Sequence, residues 1–392
     1  MAAARAALAL LLLLVTAACG ESSETSSGLI AAPPSPTPVA AQTASGPVKG
    51  LADNPAFQWW RWSGGAQPDS WWGADQNPAT LRVQTDLMRR LGVRLFRVEL
   101  VWSFVEPTMP GGNTYDSTVA RNPDWTGYQW SRWDMIVSAA SAAGIDLVPE
   151  VYYTPTWAGG VPLSVNGGPN APPRSAAYYG DFVSALVKRY HDRIHYWEMW
   201  NEPDYGPRAW NGTLSQYVAL ILKPGYEAAK QADPASRVLL GGVAGDTHLE
   251  AFYKAGARPY FDIVSFHAYY AAGAGDSTAL DHIRSAMTAN YDDGKPVWLT
   301  EFGMPTSDAQ LADSGSPSET ALAAQARLIH DVYTGLRAQA IFFYELHDTA
   351  VYGPNGPIKY VYWGMVSRDF SRTKPSLDAY MNAPSPSFQT AA

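Results

Sequence analysis

The stretch Ile194-His-Tyr-Trp-Glu-Met-Trp-Asn-Glu-Pro203 decides how this chain folds. Its first part is rich in large apolar residues, which is typical of a buried strand, and the polar sequence Asn-Glu-Pro follows directly. The stretch Val297-Trp-Leu-Thr-Glu-Phe-Gly303 repeats this arrangement. The glutamates of the two stretches, Glu202 and Glu301, are roughly 100 residues apart, which leaves room for several strand–helix units between them. The two stretches therefore predict parallel strands that each end in a glutamate.

Helical and strand patterns alternate along the rest of the chain from Gly50 onward. The predicted strands are Arg94–Val101, Ile145–Val151, Ile194–Trp200, Arg237–Gly241, Phe261–Phe266, Val297–Thr300 and Ala340–Tyr344. The predicted helices are Ala79–Leu91, Tyr128–Ala143, Ser175–Tyr190, Ser215–Ala232, Ala279–Tyr291 and Ser318–Ala338. The first two end at Gly92 and Gly144, and the fourth should kink or break at Pro224-Gly225. An eighth strand must precede the first helix, and Phe57–Trp62 is the candidate. Eight such units over roughly 330 residues predict an α/β fold, a single (β/α)8 TIM barrel spanning 50–385.

Composition narrows the possible partners. With 46% hydrophobic and 16% charged residues the chain can form a large core, and its formal net charge of −8 argues against a nucleic acid partner. No glycine-rich phosphate loop follows a predicted strand, so no nucleotide cofactor is expected. The histidines lack metal-ligand spacing, and His347-Asp348 alone is too little for a metal site. The 15 Trp and 22 Tyr residues offer flat rings for sugar faces, although most such rings simply pack.

The N-terminal segment predicts export. Residues 1–19 contain one basic residue, Arg5, and then an apolar run from Ala6 to Val15 that is too short for an ordinary membrane span. This layout is typical of a signal peptide. Residues 20–49 are rich in Ser, Thr, Ala and Pro, and so predict an extended tether without a core of its own.

The segment Val15–Gly20 resembles the cleavage box of bacterial lipoproteins. It has Thr16 where that pattern usually has leucine, and Cys19, the only cysteine of the chain, lies at the position that becomes lipidated. The resemblance implies a lipid-anchored protein of the bacterial cell envelope, outside the cytoplasm, which contacts the membrane only through its lipidated N-terminus. A plain secretory signal with an incidental cysteine is the alternative.

Polar residues at the carboxyl ends of the predicted strands are the candidates for chemistry, because barrel enzymes build their active sites there. The candidates are Arg97, Glu99, Glu150, Asn201, Glu202, His267, Tyr269, Glu301, Glu345 and His347. Two carboxyl groups at one rim of a barrel can act as proton donor and nucleophile in the cleavage of a glycosidic bond. Trp102 and Trp157 are candidates for lining sugar subsites, with packing as an equal alternative for each.

The chain resembles the large clan of retaining glycoside hydrolases with (β/α)8 barrels. The matching segments are Trp200–Pro203 on the fourth strand, Thr300–Gly303 on the seventh and the sixth-strand sequence His267-Ala268-Tyr269, together with Arg97 on the second strand. Within this clan the chain is most similar to family 39 and its bacterial relatives, over roughly 91–380. The resemblance implies that Glu202 is the acid/base and Glu301 the nucleophile of a double displacement.

The resemblance also implies supporting roles. Arg97 would keep the nucleophile ionised, Tyr269 would hold it by a hydrogen bond, and Asn201 would donate to the 2-hydroxyl of the sugar. For Arg97 the alternative is an ion-pair partner of Glu99, which has the same strand parity. His267 could equally be a structural histidine. Glu150, Glu198 and Glu345 are better explained as hydrogen-bonded residues of the barrel or its rim.

Three functions stay open at this point. The first is a retaining hydrolase that acts on O-glycosidic, mostly β, bonds of an oligosaccharide or polysaccharide. The second is a transglycosylase that uses the same covalent intermediate, and the third is a sugar-binding lipoprotein without catalysis. Neither the sugar and linkage, nor endo or exo action, nor the oligomeric state follows from the sequence.

Overall fold

Eight parallel strands form the central sheet of the computed structural model, which describes residues 46–53, 78–159, 170–207, 209–269, 278–307, 317–353, 356–367 and 370–385. The strands are β1 (Val48–Asp53), β2 (Leu95–Val101), β3 (Asp146–Tyr152), β4 (Tyr196–Met199), β5 (Arg237–Leu239), β6 (Val264–His267), β7 (Val297–Phe302) and β8 (Ala340–Tyr344). Their order is β5-β4-β3-β2-β1-β8-β7-β6. Parallel bridges from Leu239 to Ile263 and from Val243 to Phe266 join β5 to β6. The predicted (β/α)8 barrel is therefore confirmed.

Helices follow the strands and cover the outside of the sheet. They are α1 (Pro78–Arg90), α2 (Trp102–Val105), α3 (Ser117–Ala120), α4 (Ser131–Ala142), α5 (Ala176–Tyr190), α6 (Leu214–Tyr217), α7 (Lys223–Ala232), α8 (Leu249–Lys254), α9 (Thr278–Ala289), α10 (Glu319–Gly335) and α11 (Pro375–Asn382). After β8 the chain forms a hairpin of β9 (Thr349–Gly353) and β10 (Gly356–Val361). In the described part of the chain, no helix is both long and apolar enough to span a bilayer.

Two glycines end the helices that lead into β2 and β3, as the sequence predicts. Gly92 and Gly144 have φ angles of 77° and 68°, a left-handed conformation that glycine adopts without steric cost. The residue after each glycine donates its N–H to a carbonyl of the preceding helix, Val93 to Met88 at 3.0 Å and Ile145 to Ala140 at 3.0 Å. This turn points the chain back along the sheet and starts the next strand.

The first strand differs from the prediction. Val48–Asp53 pairs with both β2 and β8, so it fills the position that was assigned to Phe57–Trp62. Residues 57–62 lie outside the described part of the chain. The barrel therefore begins within the last residues of the predicted tether, 20–49. The strand was not predicted because the charged Lys49 interrupts its apolar pattern. In the structure the Lys49 side chain is buried, and its Nζ donates to the carbonyls of Tyr380 and Met381.

The helix that was predicted to break at Pro224-Gly225 is interrupted one turn earlier. A π-helical turn over Val218–Leu222 separates α6 from α7. Pro224 lies at the start of α7, directly after this turn, and has no N–H to donate. The irregular part of the helix is therefore the π-helical turn that precedes Pro224, and not the proline itself.

The inside of the barrel has two layers of different character. The layer towards the amino ends of the strands is apolar and includes Leu95, Val148, Ile263, Trp298 and Phe342, all at most 5% exposed. Towards the carboxyl ends the interior carries buried charged side chains instead. Since such groups need charge partners at short range, this upper layer is where a site is expected.

Candidate active site

The segment that follows β4 leaves the strand in an unusual backbone conformation. Trp200 and Glu202 have φ angles of 80° and 47°, which are uncommon for residues with a Cβ. The fully buried Trp200 ring packs edge-on against Trp210, and its indole N–H donates to the carbonyl of Ala209 at 2.8 Å. The Glu202 N–H donates to the carbonyl of Gly241 at 2.9 Å. Packing around the tryptophan thus holds a strained turn that carries Glu202, and such strain is typical of functional sites.

A register shift positions the second glutamate. Strands β6 and β7 pair regularly up to Phe266 and Leu299, and then the register shifts so that His267 lies opposite Glu301. The shift breaks the simple alternation along β7 and turns Glu301 towards His267. Irregularities of this kind are common next to active sites because they redirect one side chain.

His267 lies between the two glutamates. Its Nδ1 is 2.7 Å from Oε1 of Glu202, and its Nε2 is 3.7 Å from Oε1 of Glu301. A carboxylate oxygen of Glu202, a ring nitrogen of His267 and a carboxylate oxygen of Glu301 all lie within 4.8 Å of one another. The glutamates from β4 and β7 are therefore brought to one centre, where Glu202 is 20% exposed and Glu301 only 6%.

Gly242 makes room for the histidine ring. A Cβ at this position would lie 2.6 Å from Nε2 of His267 and 3.2 Å from Oδ1 of Asn201, and its φ angle is 57°. Both the space and the backbone conformation therefore require glycine.

Arg97 joins four strands beneath this centre. Its fully buried guanidinium forms ion pairs with Glu150 on β3, Glu198 on β4 and Glu301 on β7. Its Nη2 also donates to Oδ1 of Asn201 at 2.8 Å. Because a guanidinium only donates, the amide oxygen of Asn201 must face Arg97, which leaves the NH₂ group of Asn201 to donate elsewhere.

These contacts keep Glu301 ionised. Burial by itself would raise the pKa of Glu301, but the charges of His267 and Arg97 and the hydrogen bond from Tyr269 together lower it below its ordinary value. Burial, and then the negative charge of Glu301, raise the pKa of Tyr269 well above its ordinary value. The phenol therefore stays protonated and donates a hydrogen bond to Glu301. Glu301 is thus a buried carboxylate that contacts the Arg97 guanidinium, the Tyr269 hydroxyl and the His267 ring.

The surroundings of His267 favour its protonated form. Burial would lower its pKa, but the charge of Glu301 and the hydrogen bond with Glu202 outweigh burial and raise the pKa above its ordinary value of 6.5. A protonated imidazole donates from both nitrogens. It can therefore hold Glu202 in place and stabilise the charge of Glu301 at the same time.

Glu202, His267 and Glu301 also have the composition of a metal-ligand set, and their ligand atoms are close enough for one ion. The surrounding charges favour a different use. Arg97 already contacts Oε1 of Glu301, and a divalent cation there would face this guanidinium at short range. The donor set therefore does not fit a metal ion.

Replacing Arg97 with Met should lower the free energy of unfolding by about 3–5 kcal/mol, because it leaves buried carboxylates without their cation. Urea unfolding followed by tryptophan fluorescence measures the change. The control is Arg89→Met, whose ion pair with Asp86 is long, at 3.9 Å, and at least half exposed. It should cost less than about 1 kcal/mol. Equal losses in the two variants would contradict a structural role for the Arg97 cluster.

The structure does not bring every predicted residue to the centre. Trp102 is fully buried, stacks on Phe182 and donates its indole N–H to Glu106 at 2.6 Å, so it cannot line a sugar subsite, and that prediction is wrong. Its ring packs against Tyr179 and Phe182 of α5. Trp157 is half-buried, stacks on Tyr115 and donates its indole N–H to the carbonyl of Glu106.

Other residues of the centre were missed or underrated. Glu150 and Glu198 were expected to be ordinary hydrogen-bonded residues of the barrel, but they are charge partners of Arg97. Tyr344 and Trp363 each contact the ring of Tyr269 edge-on, at 6.2 and 5.6 Å between ring centroids, and form an aromatic wall beside Glu301. Tyr344 could have been predicted as part of this wall, because it lies at the carboxyl end of β8, where barrel enzymes build their active sites.

The chain matches a known protein family. The family described as Cellulase (glycosyl hydrolase family 5) matches residues 52–334, which is most of the barrel. No curated protein sequence matches the chain significantly.

Solved structures with the same fold include several family 39 enzymes. A family 39 glycoside hydrolase from Bacteroides cellulosilyticus WH2 has 22% identity and a TM-score of 0.58, covering 86% of this chain and 63% of its own. This chain thus spans less than two thirds of that enzyme. A GH39 β-xylosidase from Caulobacter crescentus has 20% identity and a TM-score of 0.61, with coverage of 87% and 72%. The GH39 enzyme of Xanthomonas axonopodis pv. citri has 18% identity and a TM-score of 0.61, with coverage of 86% and 65%.

Proposed function

This chain belongs to the Cellulase family, glycosyl hydrolase family 5, and we propose that it is a retaining hydrolase that cleaves the O-glycosidic, β-linked bonds of an oligosaccharide or polysaccharide. Glu301 acts as the nucleophile and Glu202 as the acid/base. The membership confirms the clan that the sequence predicts.

The observation that carries the proposal is the short separation of the two carboxylates. Oxygen atoms of Glu202 and Glu301 lie within 4.8 Å of each other. Retaining enzymes have their carboxyl groups about 5–5.5 Å apart, whereas inverting enzymes need about 6.5–9.5 Å to admit a water molecule. A closest approach of this size favours the shorter carboxyl separation of retaining enzymes over the wider one of inverting enzymes.

In the first step a carboxylate oxygen of Glu301 attacks the anomeric carbon. The bond from that carbon to the leaving oxygen breaks as Glu202 gives its proton to this oxygen, and a glycosyl ester of Glu301 forms. The amide NH₂ of Asn201, which Arg97 turns away from itself, is free to donate to the 2-hydroxyl of the sugar. That contact strengthens as positive charge develops on the ring.

In the second step Glu202 acts as a base. It takes a proton from a water molecule, whose oxygen attacks the anomeric carbon and displaces the Glu301 carboxylate. His267 bonds Glu202 at 2.7 Å and keeps it oriented through both steps. Two displacements at one carbon retain its configuration.

The anomeric configuration of the first product tests the mechanism. Proton NMR of the fresh hydrolysate should show the β-anomer before mutarotation, and a 2-deoxy-2-fluoro glycosyl fluoride should label Glu301. Cello- and xylo-oligosaccharides are the first substrates to test, since the matching family is described as cellulases and one structural neighbour as a β-xylosidase. An α-anomeric first product would refute the mechanism.

Replacing Tyr269 with Phe should shift the acid limb of the kcat/KM profile to higher pH. The phenol donates to Oε2 of Glu301 and so lowers the pKa of that carboxyl. Without this bond the pKa rises, and because only the ionised form attacks, activity is lost at a higher pH as the solution is acidified. The control is Tyr253→Phe, which removes a similar bond to Asp292 at 2.9 Å, away from the centre. An acid limb that stays in place would contradict this role of Tyr269.

We also propose that Cys19 is lipidated and becomes the first residue of the mature protein once residues 1–18 are removed, and that residues 20 to about 47 tether the barrel to the outer side of a bacterial membrane. The support is the sequence Val15–Gly20 and the position of the only cysteine. Cells fed labelled palmitate should incorporate label into the wild type but not into Cys19→Ser. Absence of label from the wild type would leave a plain secreted enzyme.

A further inference from the structure

A buried tyrosine joins β4 and β5 at the point where the chain leaves both strands. The register of the two strands runs up to the pair of Glu198 and Leu239, and Met199 and Leu240 follow them. The hydroxyl of Tyr217, the last residue of α6, donates to the carbonyl oxygen of Met199 at 2.8 Å and also to that of Leu240. A hydroxyl has one proton, so the two acceptors share it in a three-centre bond. A side chain thus links the two strand ends beyond their last register pair.

The two carbonyls that Tyr217 joins lie next to the backbone that holds Glu202. Met199 directly precedes the strained turn that carries this glutamate. Leu240 directly precedes Gly241, whose carbonyl accepts the N–H of Glu202 at 2.9 Å. The hydroxyl of Tyr217 therefore fixes the separation of two backbone segments that meet at Glu202.

Tyr217 is itself firmly held. It is fully buried, and its ring packs edge-on against Trp210 and Phe252. A capping box between Thr213 and Gln216 fixes the start of α6. Burial raises the pKa of Tyr217 well above its ordinary value, so the hydroxyl stays protonated and donates. Because no part of this side chain is exposed, it can affect a reaction only through the backbone that it contacts.

The π-helical turn over Val218–Leu222 explains how Tyr217 reaches the strand ends. In a regular α-helix Tyr217 and Gly225, eight residues apart, would point about 80° away from each other around the axis. The π turn takes up one extra residue, which reduces this angle to about 20°. Both residues lie against Met199, since a Cβ on Gly225 would lie 2.7 Å from its Sδ. The turn therefore directs both residues at the end of β4, and π turns are frequent at functional sites.

We propose that Tyr217 is a positioning residue for the acid/base, which it acts on through the carbonyls of Met199 and Leu240. The inference rests on the proposed function, in which Glu202 transfers a proton. Proton transfer requires a set distance between the two oxygens, and a displacement of about 1 Å can cost about 10²-fold in rate. Without the shared hydroxyl the two backbone segments separate and Glu202 shifts. The loss is then confined to reactions that need its proton.

The first experiment removes the hydroxyl and compares two leaving groups. Tyr217→Phe should lower kcat/KM for xylo- or cello-oligosaccharides about 10–100-fold, because their cleavage needs the proton of Glu202. For a 2,4-dinitrophenyl glycoside, whose leaving group departs without a proton, the loss should stay within about threefold. The control is Tyr333→Phe, which removes a similar bond of a buried tyrosine, to the carbonyl of Ile341 on β8 at 2.8 Å, and should change neither rate. Unchanged rates or equal losses in Tyr217→Phe, or a selective loss in the control, would overturn the proposal.

A second pair of variants disturbs the same link and leaves Tyr217 in place. Gly241 has a φ angle of 99°, and a Cβ there would lie 2.5 Å from the carbonyl oxygen of Met199 and 2.7 Å from the hydroxyl of Tyr217. Gly241→Ala should therefore push these atoms apart and reproduce the selective loss. The control is Gly256→Ala, which imposes similar backbone strain at a φ angle of 86°, while its Cβ would meet no atom of the described part of the chain within 4 Å. Wild-type rates on both substrates in Gly241→Ala would contradict the proposal.

Crystal structures separate this proposal from the function on which it rests. In Tyr217→Phe the carboxylate of Glu202 should move, so that its 2.7 Å contact with Nδ1 of His267 lengthens beyond about 3.5 Å, whereas in Tyr333→Phe it should stay. If Glu202 moves but the wild type hydrolyses no glycoside, the positioning role is assigned correctly and the proposed function fails. If the wild type hydrolyses oligosaccharides and Glu202 stays in place in Tyr217→Phe, the function stands and the positioning role fails.

Discussion

Glu301→Gly is expected to lower hydrolysis by at least about four orders of magnitude, because no glycosyl ester can form without the carboxylate. Added sodium azide should restore turnover of an activated glycoside such as a 2,4-dinitrophenyl glycoside. The azide ion fits the space vacated by the side chain and attacks the anomeric carbon once, so the product is the α-glycosyl azide. Absorbance of the released phenol and NMR of the azide product measure the two effects.

Glu301→Gln is the matched control for this experiment. Its amide fills the same volume as the carboxylate but cannot attack the anomeric carbon, so hydrolysis is lost and azide finds no space. Azide rescue of the Gly variant but not of the Gln variant assigns the nucleophile to this position. Rescue of neither, or hydrolysis close to wild type in either, would exclude Glu301 as the nucleophile.

Glu202→Ala should have an effect that depends on the leaving group. Loss of the proton donor should slow cleavage of unactivated oligosaccharides about 10²–10⁴-fold, whereas a dinitrophenyl glycoside leaves without a proton. The second step still needs a base, so the glycosyl ester accumulates and the KM for the dinitrophenyl glycoside falls. Azide should then raise kcat and give the β-glycosyl azide, the opposite configuration to that expected for Glu301→Gly.

The same substitution at the exposed Glu227 of α7 is the control for Glu202→Ala, and we expect no change in either substrate. Equal loss on activated and unactivated substrates in Glu202→Ala would show that the side chain supports the fold and not proton transfer. Circular dichroism of both variants monitors folding.

The existence and order of the strands from β2 to β8 were predicted from the sequence, and their ends differ from the observed ones by a few residues. Their apolar runs and the helix-ending glycines, Gly92 and Gly144, are local signals, since burial and a left-handed turn each place demands on only a few neighbouring residues. The strand β1 was missed because Lys49 interrupts its apolar pattern. Only the folded barrel provides the carbonyls of Tyr380 and Met381, more than 300 residues away, that accept its ammonium group.

The sequence predicted which residues belong to the candidate active site, but not how they contact one another. Arg97, Asn201, His267 and Tyr269 were named from strand ends and from the resemblance. That Arg97 pairs with carboxylates on three other strands depends on barrel closure, which no local pattern encodes. Trp102 was misjudged for the same reason, since exposure depends on which helix packs over a ring.

The sequence by itself determined the repeating strand–helix order and the presence of a glutamate after the fourth and the seventh strand, because periodicity and residue type are properties of short segments. Only the tertiary structure decided that these glutamates meet around His267. That meeting needs the closed ring of strands, the register shift between β6 and β7 and the strained turn at Trp200 and Glu202. Each of these depends on contacts between segments far apart in the chain, whose energies exist only once the barrel has formed.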